Sequence, residues 1–187
     1  PMFSRAVAAG LLSAGIDVLN AGVCPTPVAQ YLVQKQKAAG AIVVTGSHND
    51  ASWNALKFIN ADGALLNPIE GEEVLDLYHL GEFTKASWNE VGTEKPLETY
   101  RREYLSDTFA QLDIESIREA DFKLVFDVAN GTAGAFIHDF CQLLDCEYIL
   151  INEETTGDFA HSPAPTPANM YQLTSLLKNV DADAGFA

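Results

Sequence analysis

Short apolar runs alternate with helical segments along this chain, and that alternation limits the folds open to it. Residues 16–19 (Ile-Asp-Val-Leu), 41–45 (Ala-Ile-Val-Val-Thr), 122–127 (Phe-Lys-Leu-Val-Phe-Asp) and 147–151 (Glu-Tyr-Ile-Leu-Ile) have the length and composition of buried strands. Helical spacing fills the intervals. In residues 4–14 the apolar positions Val7, Ala8, Leu11 and Leu12 share a face, Ser4 can cap the start, and Gly15 suits the C′ position. Pro25-Thr26-Pro27 holds the chain extended and then starts a helix over 28–37, which Gly40 ends. Residues 68–80 carry Glu70, Glu72 and Glu73 at the helix start, where acidic side chains suit the dipole. Further helices are expected over 97–120, with a second short one starting near Asp113 and Ser116, over 135–144 and over 170–179. Such an order of helix and short β run points to α/β architecture with mixed, mainly parallel sheets flanked by helices.

The alternation occurs twice. One unit runs to about residue 96, with Asp62-Gly63 read as a hairpin turn and the polar stretch 81–96 read as its end and a linker. A second unit of similar plan occupies 97–187, and its strand-to-helix corner is the glycine-containing turn Val128-Ala129-Asn130-Gly131-Thr132-Ala133-Gly134. Two consecutive related α/β domains, 1–96 and 97–187, are therefore expected. The chain opens directly on a helical pattern and closes on Asp181-Ala182-Asp183-Ala184-Gly185-Phe186-Ala187, so a piece of a longer protein is expected.

Composition narrows the partners. The formal net charge is −15, which argues against nucleic acid and against an anionic membrane. It leaves small phosphorylated substrates open, because a few local cations and backbone N–H groups bind phosphate inside a negative protein. No apolar stretch approaches the length of a membrane span. Cys24, Cys141 and Cys146 are odd in number and lack metal-ligand pairing, which reads as reduced thiols of a cytoplasmic protein.

The stretch that carries chemistry follows the strand 41–45. It reads Thr45-Gly46-Ser47-His48-Asn49-Asp50, and after a short interval Trp53-Asn54-Ala55-Leu56-Lys57-Phe58. Ligands of α/β sheets gather at the carboxyl ends of strands, where Gly46–Asn49 would lie. Four readings of Ser47-His48 stand at this point. A triad fragment lacks the G-x-S-x-G elbow, and adjacent serine and histidine side chains diverge. A metal site lacks a second histidine at ligand spacing. A structural turn would use Ser47 and Asn49 as caps. A phosphate-handling loop would present the Ser47 hydroxyl on a glycine-flexed turn lined by backbone N–H groups. Lys57 also reads as an ordinary surface lysine, His79 as an exposed helical residue, and His138 and His161 as incidental.

The same residues resemble the phosphoserine loop of the α-D-phosphohexomutases, the family of phosphoglucomutase, phosphomannomutase and phosphoglucosamine mutase. Its usual pattern is T-[AG]-S-H-N-P followed by N-G-x-K. Gly22 to Pro27 resembles the family's G-x-x-x-T-P turn, Phe126-Asp127-Val128-Ala129-Asn130-Gly131 the strand and turn opening its second domain, and Pro163 to Pro167 that domain's proline loop. The resemblance implies domains one and two of such an enzyme, both incomplete. It implies interconversion of hexose or hexosamine 1-phosphate and 6-phosphate through a sugar bisphosphate, in the cytoplasm. Ser47 would be the phosphoserine, His48 would position the phosphate or the sugar hydroxyl, and Lys57 would stabilise transferring charge or move a proton. Thr45, Gly46, Asn49 and Asn54 would shape the phosphate loop. Mg²⁺ would bind an oxygen of the phosphate on Ser47, while the D-G-D-x-D-R carboxylates that complete its site are absent. Asp181 and Asp183 are not expected to replace them, so the chain alone is expected to have little activity.

Two residues depart from the pattern: Asp50 stands where proline is usual, and Ala55 where glycine is usual. The Trp-Asn-Ala-Leu-Lys variant resembles phosphoglucosamine mutase-like members. Two other classes remain open on the sequence, a non-catalytic α/β binding or assembly module and a phosphatase-like enzyme with a phosphoserine intermediate.

Overall fold

The computed structural model describes residues 1–187 and divides them into two compact units. The first comprises Pro1–Thr45 and Ala55–Glu98, and the second comprises Gly46–Asn54 and Thr99–Ala187.

The first unit begins with α1 (Met2–Ser13), followed by β1 (Val18–Asn20), α2 (Thr26–Gln36), β2 (Ala41–Thr45), β3 (Ala55–Ile59), α3 (Pro68–Leu80) and β4 (Glu94–Pro96). Pro25 and Pro27 act as the sequence implies: Pro25 is extended at the N-cap of α2, and Pro27 sits in its first turn, where no backbone donor is needed. The helix buries Val28, Ala29, Leu32 and Val33, spaced to share one face. Ala29 and Val33 join Ile59 of β3 in a small core closed by Cys24, Ala41 and Val43. β2 and β3 pair antiparallel, from Ala41 opposite Ile59 to Thr45 opposite Ala55. Beyond β3, Asn60 folds the Asp62-Gly63 turn with its own side chain, whose oxygen accepts from the backbone N–H groups of Asp62 and Ala64. At the start of α3, Asn67 and Glu70 cap each other's backbone reciprocally.

Two expectations are corrected in this unit. α1 starts at Met2 rather than Ser4, and no side chain caps it. The stretch 81–96, read as a linker, contains β4, which pairs parallel with β1.

The second unit holds α4 (Tyr100–Phe109), α5 (Ile114–Glu119), β5 (Lys123–Asp127), α6 (Gly134–Leu144), β6 (Glu147–Ile151), α7 (Tyr171–Val180) and β7 (Ala184–Phe186). The expected helix over 97–120 is divided, and Asp113 caps α5 by accepting from the Ser116 backbone N–H at 3.2 Å and its hydroxyl at 2.7 Å. The sheet order is β6-β5-β7, all parallel. β5 is the middle strand, and Leu124, Val125, Phe126 and Asp127 are all buried. A strand covered on both faces reads as an unbroken apolar run, as residues 124–126 do. Leu124 and Phe126 pack with Ile137, Phe140 and Cys141 of α6. Val125 points to the opposite face, beside Gly185 of β7, where Leu173 and Leu177 of α7 fill the space a Cβ on Gly185 would need. Phe126 is the hub of the first face, edge-on to Phe140 at 6.1 Å and stacked on Phe186 at 5.3 Å.

At the end of α6, Asp145 is left-handed and the Cys146 N–H reaches back to the Cys141 carbonyl at 3.3 Å. This closure seats Cys146 against Cys141. Apolar burial first, and Cys146 second, push the Cys141 thiol up to about 12. That is the behaviour of a core thiol rather than a nucleophile. No disulfide links the cysteines.

Truncating Phe126 removes both ring contacts at once. Phe126→Ala is expected to lower unfolding stability of the second unit by roughly 3–5 kcal/mol, read from denaturant unfolding and from the exchange protection of β5–β7 amides. An unchanged unfolding midpoint would contradict the hub role.

Candidate active site

Residues 46–54 form the loop between β2 and β3, and Thr45 and Ala55, paired across the two strands, fix its ends. The loop is two successive turns. In the first, the Asn49 backbone N–H and side-chain Nδ2 both donate to the Gly46 carbonyl, at 3.1 and 2.9 Å. In the second, the Trp53 N–H donates to the Asp50 carbonyl at 3.1 Å, and Asp50 Oδ1 accepts from the Ser52 N–H at 2.9 Å and from the Ser52 hydroxyl. These two donors, the hydroxyl first, hold the Asp50 carboxyl below its usual range. A side chain on Gly46 would put its Cβ 2.7 Å from the Trp53 carbonyl oxygen. The two turns thus close on each other only because residue 46 has no side chain.

Ser47 sits at the tip of the first turn with φ +57°. This left-handed conformation costs a non-glycine residue on the order of 1–2 kcal/mol, and the Asn49 bonds to the Gly46 carbonyl span it. The Ser47 hydroxyl and His48 Nδ1 are 3.5 Å apart, at the outer limit of hydrogen bonding. Ser47, His48, Asn49 and Asn54 are exposed. The structure therefore brings Thr45, Gly46, Ser47, His48, Asn49 and Asn54 together in one loop. Lys57 lies on β3, opposite Val43 and half-buried.

A second polar cluster lies in the second unit, at the carboxyl end of β5. Asp127 is 2% exposed. Its Oδ1 accepts from the Ala129 N–H at 3.1 Å and from Asn152 Nδ2 at 2.9 Å, and its Oδ2 lies 2.9 Å from His161 Nε2. His161 Nδ1 faces the Ser162 carbonyl oxygen at 2.9 Å. Both neighbours of the ring accept, so the imidazole satisfies both only when it carries both protons. The Ser162 carbonyl first, then the Asp127 bond and charge, raise the His161 pKa, while burial opposes them. Around this pair the turn after β5 is left-handed at Ala129 and Asn130, and Asn130 ties the 152–160 segment down through the Asn152 carbonyl and the Ala160 N–H.

Metal-binding donors do not converge in this chain, where no group of three or more His, Cys, Asp or Glu side chains could hold an ion. Asp183, near the chain's end, is engaged by the Lys123 backbone N–H at 2.8 Å. The residues present thus do not fit a Mg²⁺ site by themselves.

Residues 1–85 match the family profile for phosphoglucomutase/phosphomannomutase, alpha/beta/alpha domain I, and residues 102–187 match that for alpha/beta/alpha domain II. The chain belongs to the phosphoglucomutase/phosphomannomutase family. A phosphoglucomutase/phosphomannomutase of Thermococcus kodakarensis is 30% identical over 187 residues, which is all of this chain and 41% of the relative. A phosphoglucosamine/phosphogalactosamine mutase of Sulfurisphaera tokodaii is 30% identical, again over 41% of its length. A crystal structure of a phosphoglucomutase/phosphomannomutase family protein from Burkholderia thailandensis superposes with a TM-score of 0.73 at 27% identity, covering 100% of this chain and 41% of that one. The chain thus spans about 41% of the length of the curated relatives it matches.

Within this family member, sequence reasoning located the loop residues and missed the Asp127 cluster. His161, read as incidental rather than catalytic, has a structural part: its Nε2 lies 2.9 Å from the buried Asp127 carboxyl. The one available signal was an aspartate ending an apolar strand, since a buried carboxylate needs a partner. The partner lies 34 residues away in a proline-rich loop, with no spacing rule to find it.

The raised pKa of His161 has a pH consequence. A group whose folded pKa exceeds its unfolded value of about 6.5 contributes stability that is complete below that value. The contribution is lost as pH rises through the folded pKa. The stability difference between the native chain and His161→Ala is therefore expected to be larger at about pH 6 than at about pH 9, measured by denaturant unfolding. A difference that grows with pH would contradict the ion pair.

Proposed function

We propose that the full-length protein containing this chain is a phosphohexomutase that interconverts the 1-phosphate and 6-phosphate of a hexose or hexosamine through a phosphoserine at Ser47. The observation that carries this reading is the placement of the Ser47 hydroxyl on an exposed, left-handed turn tip with His48 Nδ1 beside it, at the mouth of a strand pair. A nucleophile that exchanges a phosphoryl group with two positions of one sugar needs open access and a fixed backbone, and this loop supplies both. The names of the relatives support the reaction class.

In this proposal phosphorylated Ser47 gives its phosphoryl group to the free hydroxyl of a sugar monophosphate. The Ser47 Oγ–P bond breaks as the sugar O–P bond forms, and the hydroxyl proton leaves to a base. The Ser47 oxygen takes up a proton as it leaves; after the bisphosphate turns round, the other sugar O–P bond breaks as a new Ser47 Oγ–P bond forms, and the proton passes from Ser47 to that sugar oxygen. His48 positions the phosphate or the hydroxyl. Lys57 offsets charge spread over the transferring oxygens, which is where phosphoryl-transfer catalysis lies. Thr45, Gly46, Asn49 and Asn54 set the shape of the loop. In the full-length protein, Mg²⁺ would be held in part by a phosphate oxygen on Ser47 and would offset phosphate charge, while its carboxylate ligands would have to come from outside this chain. A small phosphosugar is the partner in this reading, and the cytoplasm is the compartment. No helix is long and apolar enough to cross a membrane.

In the full-length protein, Ser47→Ala is expected to lower mutase turnover by several orders of magnitude. Labelled hexose 1-phosphate is expected to yield 6-phosphate. Release of inorganic phosphate instead would favour a phosphatase, and full activity of Ser47→Ala would reject the phosphoserine. The isolated 187-residue chain is expected to turn over little or no substrate.

A further inference from the structure

We infer that Asp50 is a positioning residue for Ser47, supplying through its carboxylate the turn closure that holds the serine hydroxyl for phosphoryl exchange. The inference rests on the phosphoserine reading and deepens it. Ser47 has a conformation that its own side chain disfavours, so its orientation has to be imposed by its neighbours. Asn49 closes the first turn onto the Gly46 carbonyl. That bond alone leaves the second half of the loop undefined. Asp50 defines it: one carboxylate oxygen takes both the backbone N–H and the hydroxyl of Ser52, and the Asp50 carbonyl takes the Trp53 N–H. The Trp53 carbonyl oxygen comes within 2.7 Å of where a Cβ on Gly46 would stand. The chain of constraint runs from the Asp50 carboxylate through Ser52 and Trp53 back to Gly46, the residue before Ser47.

The residue at this position has to restrict the turn by some means. A proline would do it with its ring, by fixing φ. An aspartate does it with hydrogen bonds, as carboxylate and carboxamide side chains do when they bond the backbone two residues on. The hydrogen-bonded form differs in one testable way. It depends on an acceptor oxygen rather than on a ring, so asparagine should preserve it and alanine should not.

The experiment uses the full-length protein carrying Asp50→Ala, Asp50→Asn, Asp50→Pro or Ser47→Ala. The readouts are kcat and KM for a hexose 1-phosphate, and the site and stoichiometry of phosphorylation after incubation with the sugar bisphosphate. Asp50→Ala is expected to lower kcat by up to about 10²-fold, the scale of a misplaced reacting group, with KM little changed and phosphorylation of Ser47 slowed in parallel. Asp50→Asn, which keeps the acceptor, and Asp50→Pro, which replaces it with a ring, are both expected to recover most of that loss. A purely structural role would not be rescued by two such unlike residues while Asp50→Ala keeps the native melting temperature. Native kcat in Asp50→Ala, with Ser47→Ala inactive, overturns the role of Asp50 and leaves the phosphoserine standing. An Asp50→Asn variant as slow as Asp50→Ala also overturns it, because charge rather than geometry would then matter. Phosphate mapped to Ser52 overturns it as well, since Asp50 would then be a base for a different hydroxyl. An active Ser47→Ala overturns both readings.

Discussion

The register of β2 against β3 is the constraint on which the candidate site depends. Thr45 opposite Ala55 fixes the two ends of the loop 46–54 at the spacing of an antiparallel pair. A slip by one residue would put Val43 and Lys57 on opposite faces of the ribbon, out of their present pairing. Register is held by burial: Ala41 and Val43 of β2 and Ile59 of β3 meet Ala29 and Val33 of α2. The same burial that stabilises the first unit therefore decides where the loop leaves the sheet. Within the loop, side-chain bonds take over from burial, because Ser47, His48, Asn49 and Asp50 are all exposed.

The second unit solves a different problem. Its central strand runs apolar from Leu124 to Phe126 and then ends on a carboxylate that is 2% exposed. An unpaired buried charge is untenable, so the surrounding chain is recruited to it. Ala129 bends back, Asn152 reaches over from the end of β6, and His161 brings in the proline-rich segment. Gly134 belongs to the same arrangement: its Cβ would stand 2.3 Å from the Glu153 carbonyl oxygen, so the segment after β6 passes directly over the start of α6. What the sequence shows as a long irregular loop, 152–169, is held at defined points by one ionisable network.

How much of this was legible depends on which atoms carry the information. Strands 41–45, 123–127 and 147–151 announce themselves through apolar side chains, and α2 through its prolines and its four buried residues. β4 is silent because Glu94, Lys95 and Pro96 are all exposed and form no apolar run, although they pair with β1 and Glu94 also accepts from the Asn20 side chain. The start of α1 is silent because no side chain caps it. The loop 46–54 was legible in its residue types, which point to phosphate chemistry only when joined to a family resemblance. Its geometry was not, because the bonds that close its two turns run to the backbone carbonyls of Gly46 and Asp50. Asp50 departs from the family pattern in its residue type, and its bonds to Ser52 are visible only in the structure.

Under the proposed function, a net charge of −15 has to be reconciled with a charged phosphate group on the substrate. Screening resolves much of the conflict. At physiological ionic strength the Debye length is about 8 Å, so solvent-exposed carboxylates farther away contribute little field at the loop. Several are also committed locally: Glu70 caps α3, Asp113 caps α5, and Asp17 accepts from the backbone N–H and hydroxyl of Thr93. Such bonds spread their charge onto backbone donors. In the proposed reading a phosphate on Ser47 would meet His48 beside it, Lys57 as the offsetting cation, and the one acidic residue of the loop, Asp50, already satisfied by two donors from Ser52. A global acidic balance with local neutralisation of this kind disfavours polyanions that must lie across a wide surface. In the phosphohexomutase reading, a small phosphosugar would be much less opposed.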